Sequence, residues 1–248
     1  MYILANWKDR LDANSSAALA KQIASSARAT YGNMEIVIFP DAVSLAQVAL
    51  LFESSSIVKI GAQDGPLEKS GALTGSIAVA NISQFCDYVI LGHSERRSKL
   101  GETDEIVARK ATVACDLGLV PVICVSNEEV SNADPYLGIE TQLQAIPREI
   151  LSRRELLVAY EPIDAIGTGS PGNPKNVEEA ARAIHKVISR LVPTKNVPVL
   201  YGGSVDAENV TSYLSLKGID GVLVGGASLA ADSFLSIVDE ALHIEHAQ

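Results

Sequence analysis

The chain has 248 residues and is 47% hydrophobic but only 5% aromatic, so it can fill a sizeable core, and Val, Ile, Leu and Ala must fill it. A net charge of −10 argues against nucleic acid and anionic lipid as partners. The longest apolar runs, about seven residues, are far below the ~18–20 needed to cross a bilayer.

Cys86, Cys115 and Cys124 are odd in number and match no zinc or redox spacing, which points to a reduced, cytoplasmic protein without a structural metal. The segment Met-Tyr-Ile-Leu-Ala-Asn-Trp-Lys lacks the basic region and apolar stretch of a secretory signal.

Along the chain, short β-branched apolar runs alternate with segments of helical spacing. Tyr2–Trp7 is followed by Ser15–Ala29, and Glu35–Pro40 by Val43–Phe52. Val58–Gln63 leads into an irregular stretch to residue 76. Tyr88–His93 precedes the helical Glu105–Leu117, and Val120–Val125 precedes a second irregular stretch, 126–138. Leu156–Glu161 comes next, with a third irregular stretch at 167–176 and then Val177–Leu191. Val197–Gly202, Ala207–Leu216 and Gly221–Gly226 complete the series. Strands alternating with helices predict βαβ units and a parallel sheet. Eight such strands in one chain predict a single closed (β/α)₈ barrel domain over residues 1–248, with its active site at the C-terminal rim. An open doubly wound sheet would show a Gly-rich fingerprint after its first strand, where this chain has Asn-Trp-Lys. The three irregular stretches all follow strands, so they share that rim.

A barrel needs apolar strand interiors, but nothing in its packing requires polar strand ends. Strand 1 nevertheless ends in Asn6 and Lys8, strand 4 in His93, Ser94 and Glu95, and strand 6 in Glu161. Strand 7 ends in Gly202-Gly203-Ser204 and strand 8 in Gly225-Gly226. Gly-Gly can be a tight turn and nothing more, but it also lets backbone N–H groups approach an anion. Barrel phosphate sites are commonly built after strands 7 and 8. Glu161 can be a structural carboxylate paired with an arginine. Ending the run Leu-Leu-Val-Ala-Tyr, it is poorly solvated and so a stronger base. His93 alone reads as a core histidine and Lys8 alone as a surface lysine. Together on one rim, a base, a neutral donor, a fixed cation and a phosphate cradle suit proton abstraction next to a carbonyl on a phosphorylated substrate.

These segments resemble the triosephosphate isomerase family. The resemblance lies in Asn6-Trp7-Lys8, in Ile90–Arg97 (Ile-Leu-Gly-His-Ser-Glu-Arg-Arg), and in Ala159-Tyr160-Glu161-Pro162 followed by Ala165-Ile166-Gly167-Thr168-Gly169. It continues in Tyr201–Val205, Leu223–Leu229 and Gly71-Ala72-Leu73-Thr74-Gly75, in register from residue 2 to about 230. The resemblance implies reversible conversion of glyceraldehyde 3-phosphate and dihydroxyacetone phosphate through an enediolate, in glycolysis and gluconeogenesis, with no cofactor and no metal. It implies Glu161 as base and His93 as a neutral electrophile at the helix start Ser94–Arg97. Lys8 would stabilise negative charge, Asn6 would orient substrate and Glu95 would hold Lys8. Backbone N–H groups of Gly167, Ser204, Gly225 and Gly226 would bind phosphate. Ile166 and Leu223 match the apolar pair that clamps the base, and Tyr201 belongs with the lid that excludes water. The loop around Gly71–Ser76 would make a homodimer.

Four positions depart from the family pattern. The first lid hinge reads Pro162-Ile163-Asp164 where an indole is usual, and Ser126-Asn127 stands where Gly-Glu is frequent. The second hinge reads Ser170-Pro171-Gly172, and Ser76 replaces a Glu that pairs across the dimer. These changes bear on lid motion and dimer strength, and none touches the catalytic groups. Two rival readings are a catalytically silent barrel kept as a scaffold or binding protein, and another phosphate-binding barrel isomerase. The silent barrel would have lost the base, the His or the Lys. The other isomerase would not explain Asn-Trp-Lys together with Gly-His-Ser-Glu-Arg-Arg.

Overall fold

A computed structural model describes the chain except residues 28–30, 32–33, 53–56, 66, 70, 73, 75–76, 78, 128–135, 154, 163–170 and 246–248. Eight parallel strands close into a barrel in sequence order: β1 (Tyr2–Asn6), β2 (Glu35–Phe39), β3 (Val58–Ala62), β4 (Tyr88–Leu91), β5 (Val120–Val125), β6 (Leu157–Tyr160), β7 (Val199–Tyr201) and β8 (Gly221–Val224). β1 pairs with β2 and, in matching register, with β8, which seals the ring.

The strands are apolar on both faces because both faces are buried. One face fills the barrel interior with Leu4, Val37, Val122, Leu157, Leu200 and Leu223, among others. The other packs Ile3, Ile38, Val89, Ile123, Val158 and Val224 against the surrounding helices. Burying one such side chain contributes about 1.5–3 kcal/mol relative to leaving it exposed. The inward set recurs every second residue, and that alternation aims the site. Asn6 continues the inward series Tyr2, Leu4, and Glu161 continues Leu157, Ala159.

The helices are α1 (Ala13–Ser26), α2 (Leu45–Leu50), α3 (Val79–Ile82), α4 (Ser94–Leu100), α5 (Asp104–Asp116), α6 (Leu137–Ala145), α7 (Arg148–Leu151), α8 (Pro174–Leu191), α9 (Val210–Leu214) and α10 (Ala231–Glu245), with a 3₁₀ turn at Gly226–Leu229. α8 shows why they form. Val177, Ala180, Ala181, Ile184, Val187 and Ile188 make one buried stripe, Pro174 opens the first turn, and the Asn173 side chain accepts from the Lys175 N–H. The expected helices recur with shifted ends: α8 begins three residues before Val177, and α9 is confined to the middle of Ala207–Leu216. Strands β7 and β8 are shorter than expected, because Gly202 and Gly225-Gly226 leave the ladder for turns.

A buried charge cluster supports α4 from beneath. The Lys110 ammonium bonds both Asp64 oxygens at 2.8 and 2.9 Å and also contacts Glu102. Arg96 reaches Asp64 at 2.9 Å and Glu102 at 3.4 Å. Burial pushes the Asp64 carboxyl up against the pull of Lys110 and Arg96. Removing one partner would leave an uncompensated buried charge, so the cluster locks Arg96, and with it the helix that carries Glu95, in place.

Candidate active site

Glu161 follows β6 and is 2% exposed. Its carboxylate is docked on the start of α4: Oε2 accepts from the Ser94 N–H at 2.8 Å, and Oε1 lies 3.0 Å from His93 Nε2. A helix N-terminus attracts a carboxylate, and the His93 ring is the second group that orients it. The side chain has room because residue 202 is glycine. A Cβ there would stand 3.1 Å from Glu161 Cγ.

His93 caps α4, and its Nδ1 accepts from the Glu95 N–H at 3.2 Å. A nitrogen that accepts carries no proton, so Nε2 bears the hydrogen and donates it to Glu161. Glu95 Oε2, at 3.6 Å from Nδ1, is too distant to reverse this choice. We therefore expect ¹⁵N NMR at neutral pH to find Nδ1 unprotonated and Nε2 protonated. A ring protonated on both nitrogens would contradict the geometry.

Lys8 is the sole non-glycine residue with positive φ among those described, at 54°. Such a backbone costs of the order of 1–3 kcal/mol and persists only where its surroundings fix it. Here the Asn6 side chain accepts from the Lys8 N–H at 3.0 Å. Gln63 Nε2 donates to the Lys8 carbonyl at 2.7 Å and to that of Phe39 at 2.9 Å. The ammonium bonds Glu95 at 3.0 Å. Burial alone would raise the Glu95 carboxyl, but the bond and charge of Lys8, with His93 and Lys99 adding to them, hold it below its ordinary value. The same ammonium faces the strand-8 turn, where a Cβ on Gly225 would lie 3.8 Å from Nζ.

The structure thus brings Asn6, Lys8, His93 and Glu95 to the wall of one groove, with Glu161 bonded to His93. Ser204 lies in the turn after β7, and Gly225 and Gly226 open the 3₁₀ turn after β8. Leu223 belongs to the barrel interior. Gly167, Ile166 and Asp164 fall outside the described residues. Tyr201 ends β7, and its hydroxyl accepts from the Gly172 N–H at 2.7 Å. Asn127 accepts from the Tyr160 hydroxyl at 3.2 Å. Arg10, Arg96 and Lys99 line the groove as well, so Lys8 is not its single cation.

Some groups were not singled out from the sequence. Cys124, fully buried on β5, lies close enough to Glu161 to feel its charge. Burial first and the Glu161 charge second push its thiol up, so it stays protonated. Its inward position follows from the β5 alternation, whereas its nearness to Glu161 depends on the β5–β6 register. Gln63 was legible as another polar residue ending a strand.

The chain matches the family model described as triosephosphate isomerase over residues 1–241. It is similar to the triosephosphate isomerase of Bordetella pertussis, 40% identical over 242 residues and covering 95% of each chain. It is also similar to that of Dehalococcoides mccartyi, 38% identical over 249 aligned residues that cover 98% of this chain and 97% of the relative. That of Borrelia hermsii is 36% identical over 249, with 97% and 98% covered. A closed eight-stranded barrel, a carboxylate docked on a histidine at its rim and near full-length identity of this order agree, and the chain belongs to the triosephosphate isomerase family.

Proposed function

We propose that residues 1–248 form one catalytic domain that interconverts glyceraldehyde 3-phosphate and dihydroxyacetone phosphate without cofactor or metal. The observation that carries the reading is the contact of Glu161 with His93 and the α4 start, beside Lys8, in a chain of this family. The acid–base pair at 3.0 Å leaves no room for two substrate carbons between them. Glu161 must therefore leave Ser94 and His93 and swing toward the space kept open by Gly202. There it removes the proton next to the carbonyl and returns it to the neighbouring carbon. His93, freed from Glu161, turns its Nε2–H to the substrate oxygens on which charge develops. Lys8 has three N–H donors and spends one on Glu95, which leaves two for the substrate and the enediolate. Asn6 orients the substrate and holds the Lys8 backbone. Backbone N–H groups of Ser204, Gly225, Gly226 and Gly167 take the phosphate. Ile166, Leu223 and Tyr201 serve the lid that keeps water from the intermediate.

The three unpaired cysteines support a cytoplasmic setting, and the reaction supports a place in glycolysis and gluconeogenesis. We also propose a homodimer in which the Gly71–Ser76 loop of one copy enters the groove of the other. Ile77 and Leu100, 46% and 67% exposed, line that groove next to Lys8 and Glu95 and offer the apolar contact. Leu73, Gly75 and Ser76 lie outside the described residues. No observation favours the silent scaffold, whose signature would be a missing base, His or Lys. A coupled assay that feeds glyceraldehyde 3-phosphate and follows dihydroxyacetone phosphate tests the reading, and a chain with no turnover would refute it.

A further inference from the structure

The rings of Tyr201, at the end of β7, and Tyr213, on α9, are buried and stacked, with centroids 4.0 Å apart and planes inclined by 24°. Their hydroxyls converge on one residue. Tyr201 accepts from the Gly172 N–H at 2.7 Å, and Tyr213 donates to the Gly172 carbonyl at 2.7 Å. Gly172 immediately precedes Asn173, the cap of α8. It also lies beside the residue after the base: a Cβ on Gly172 would stand 3.4 Å from Pro162 Cγ and 2.9 Å from the Tyr201 hydroxyl. Residues 162 and 172, the two ends of the segment that leaves Glu161, are therefore near neighbours. Tyr201 is tied to the base from the other side, since Gly202 N–H bonds the Tyr160 carbonyl at 2.8 Å and Gly202 faces Glu161 Cγ.

We propose that Tyr213 is a positioning residue for the reaction assigned above: by gripping the Gly172 carbonyl while Tyr201 grips its N–H, it fixes Pro162 and hence the reach of Glu161. The inference rests on that isomerase reading. Two hydroxyls on one residue restrain it in translation and in rotation, which a single bond does not. Ring stacking makes the pair rigid, so the restraint is carried to β7 and the turn at Gly202–Ser204. Burial pushes both phenols up, so they remain protonated through the range in which the enzyme would work.

Tyr213→Phe removes the donor and keeps the stack. Three quantities are measured in wild type, Tyr213→Phe, Tyr201→Phe and the double variant: kcat, KM, and inorganic phosphate released per isomerisation. An enediolate held poorly breaks its C–O bond to phosphate and yields methylglyoxal, so phosphate release reports on positioning and not on folding. Wild type must first turn over triose phosphate, and an inactive wild type sinks the isomerase reading itself. Given an active wild type, Tyr213→Phe is expected to lose roughly fivefold to tenfold in kcat, the scale of one buried hydrogen bond, with KM nearly unchanged. Phosphate release per turnover should rise. The double variant should lose less than the product of the two single losses, because both hydroxyls hold the same residue. Unchanged kcat and phosphate release in Tyr213→Phe would overturn the proposal. So would a drop in melting temperature with the partition unchanged, which would mark Tyr213 as structural only.

Discussion

Glu161→Asp is expected to lose about 100-fold or more in kcat while the barrel stays folded, because a misplacement of ~1 Å can cost that much. The substitution keeps the charge and withdraws it by one methylene. Glu161 reaches two donors at once, Ser94 N–H at 2.8 Å and His93 Nε2 at 3.0 Å, and both are fixed to α4. A shorter side chain on the same backbone cannot reach both donors, nor the carbon it must deprotonate. The loss should fall on kcat more than on KM, since the carboxylate does not hold the phosphate. Melting temperature should change little, because the buried carboxylate is replaced by another beside the same helix N-terminus. Steady-state kinetics with circular dichroism on one preparation checks both halves. Turnover near wild type would remove Glu161 from the mechanism.

Lys8→Met is expected to weaken binding of a phosphoglycolate-like anion and to lower kcat/KM, each by about 10²–10³, the scale seen when one preorganised charge partner is removed. Met fills similar volume and, being unbranched at Cβ, tolerates the φ of 54° about as well as Lys. The change therefore deletes charge and leaves the backbone held by Asn6 and Gln63. Glu95 then loses the cation that keeps its carboxyl low, and that carboxyl should move back up. An unpaired carboxylate beside an anionic substrate adds repulsion to the lost attraction. Calorimetry of inhibitor binding measures the first effect. Unchanged affinity would transfer the work to Arg10, Arg96 or Lys99, which line the same groove.

The barrel was legible in the chain because each strand is an apolar run, and the rim was legible because polar residues interrupt those runs at one end. Asn6 and Glu161 were readable as inward residues from alternation alone. His93 was readable as a helix start, since Ser94-Glu95-Arg96-Arg97 follows it and α4 begins there. Other parts carry no local signal. The Ser94 N–H that docks Glu161 is a backbone donor 67 residues away, and side-chain identity does not encode it. Lys110 and Asp64 lie 46 residues apart, and Tyr213 and Gly172 lie 41 apart, so each pair exists only after the barrel closes. Strand ends were overestimated at β7 and β8 because Gly202 and Gly225 follow apolar residues without a break in composition, while the turn is set by the backbone. Asn127 takes the Tyr160 hydroxyl from 33 residues away, a contact set by the register of neighbouring strands, and Asp164 lies outside the described residues.

Solvent labelling tests the central claim, proton transfer by a single carboxylate through an enediolate. Wild-type protein is given glyceraldehyde 3-phosphate in D₂O with a chelator present, and the dihydroxyacetone phosphate formed is read by ¹H NMR. A proton carried on Glu161 exchanges with solvent in competition with its direct return behind the lid, so a fraction of the product should carry deuterium on its hydroxymethyl carbon, and label and product should both vanish with Glu161→Gln. Product with no deuterium in any fraction would be the pattern of direct hydride transfer between the carbons and would contradict the account.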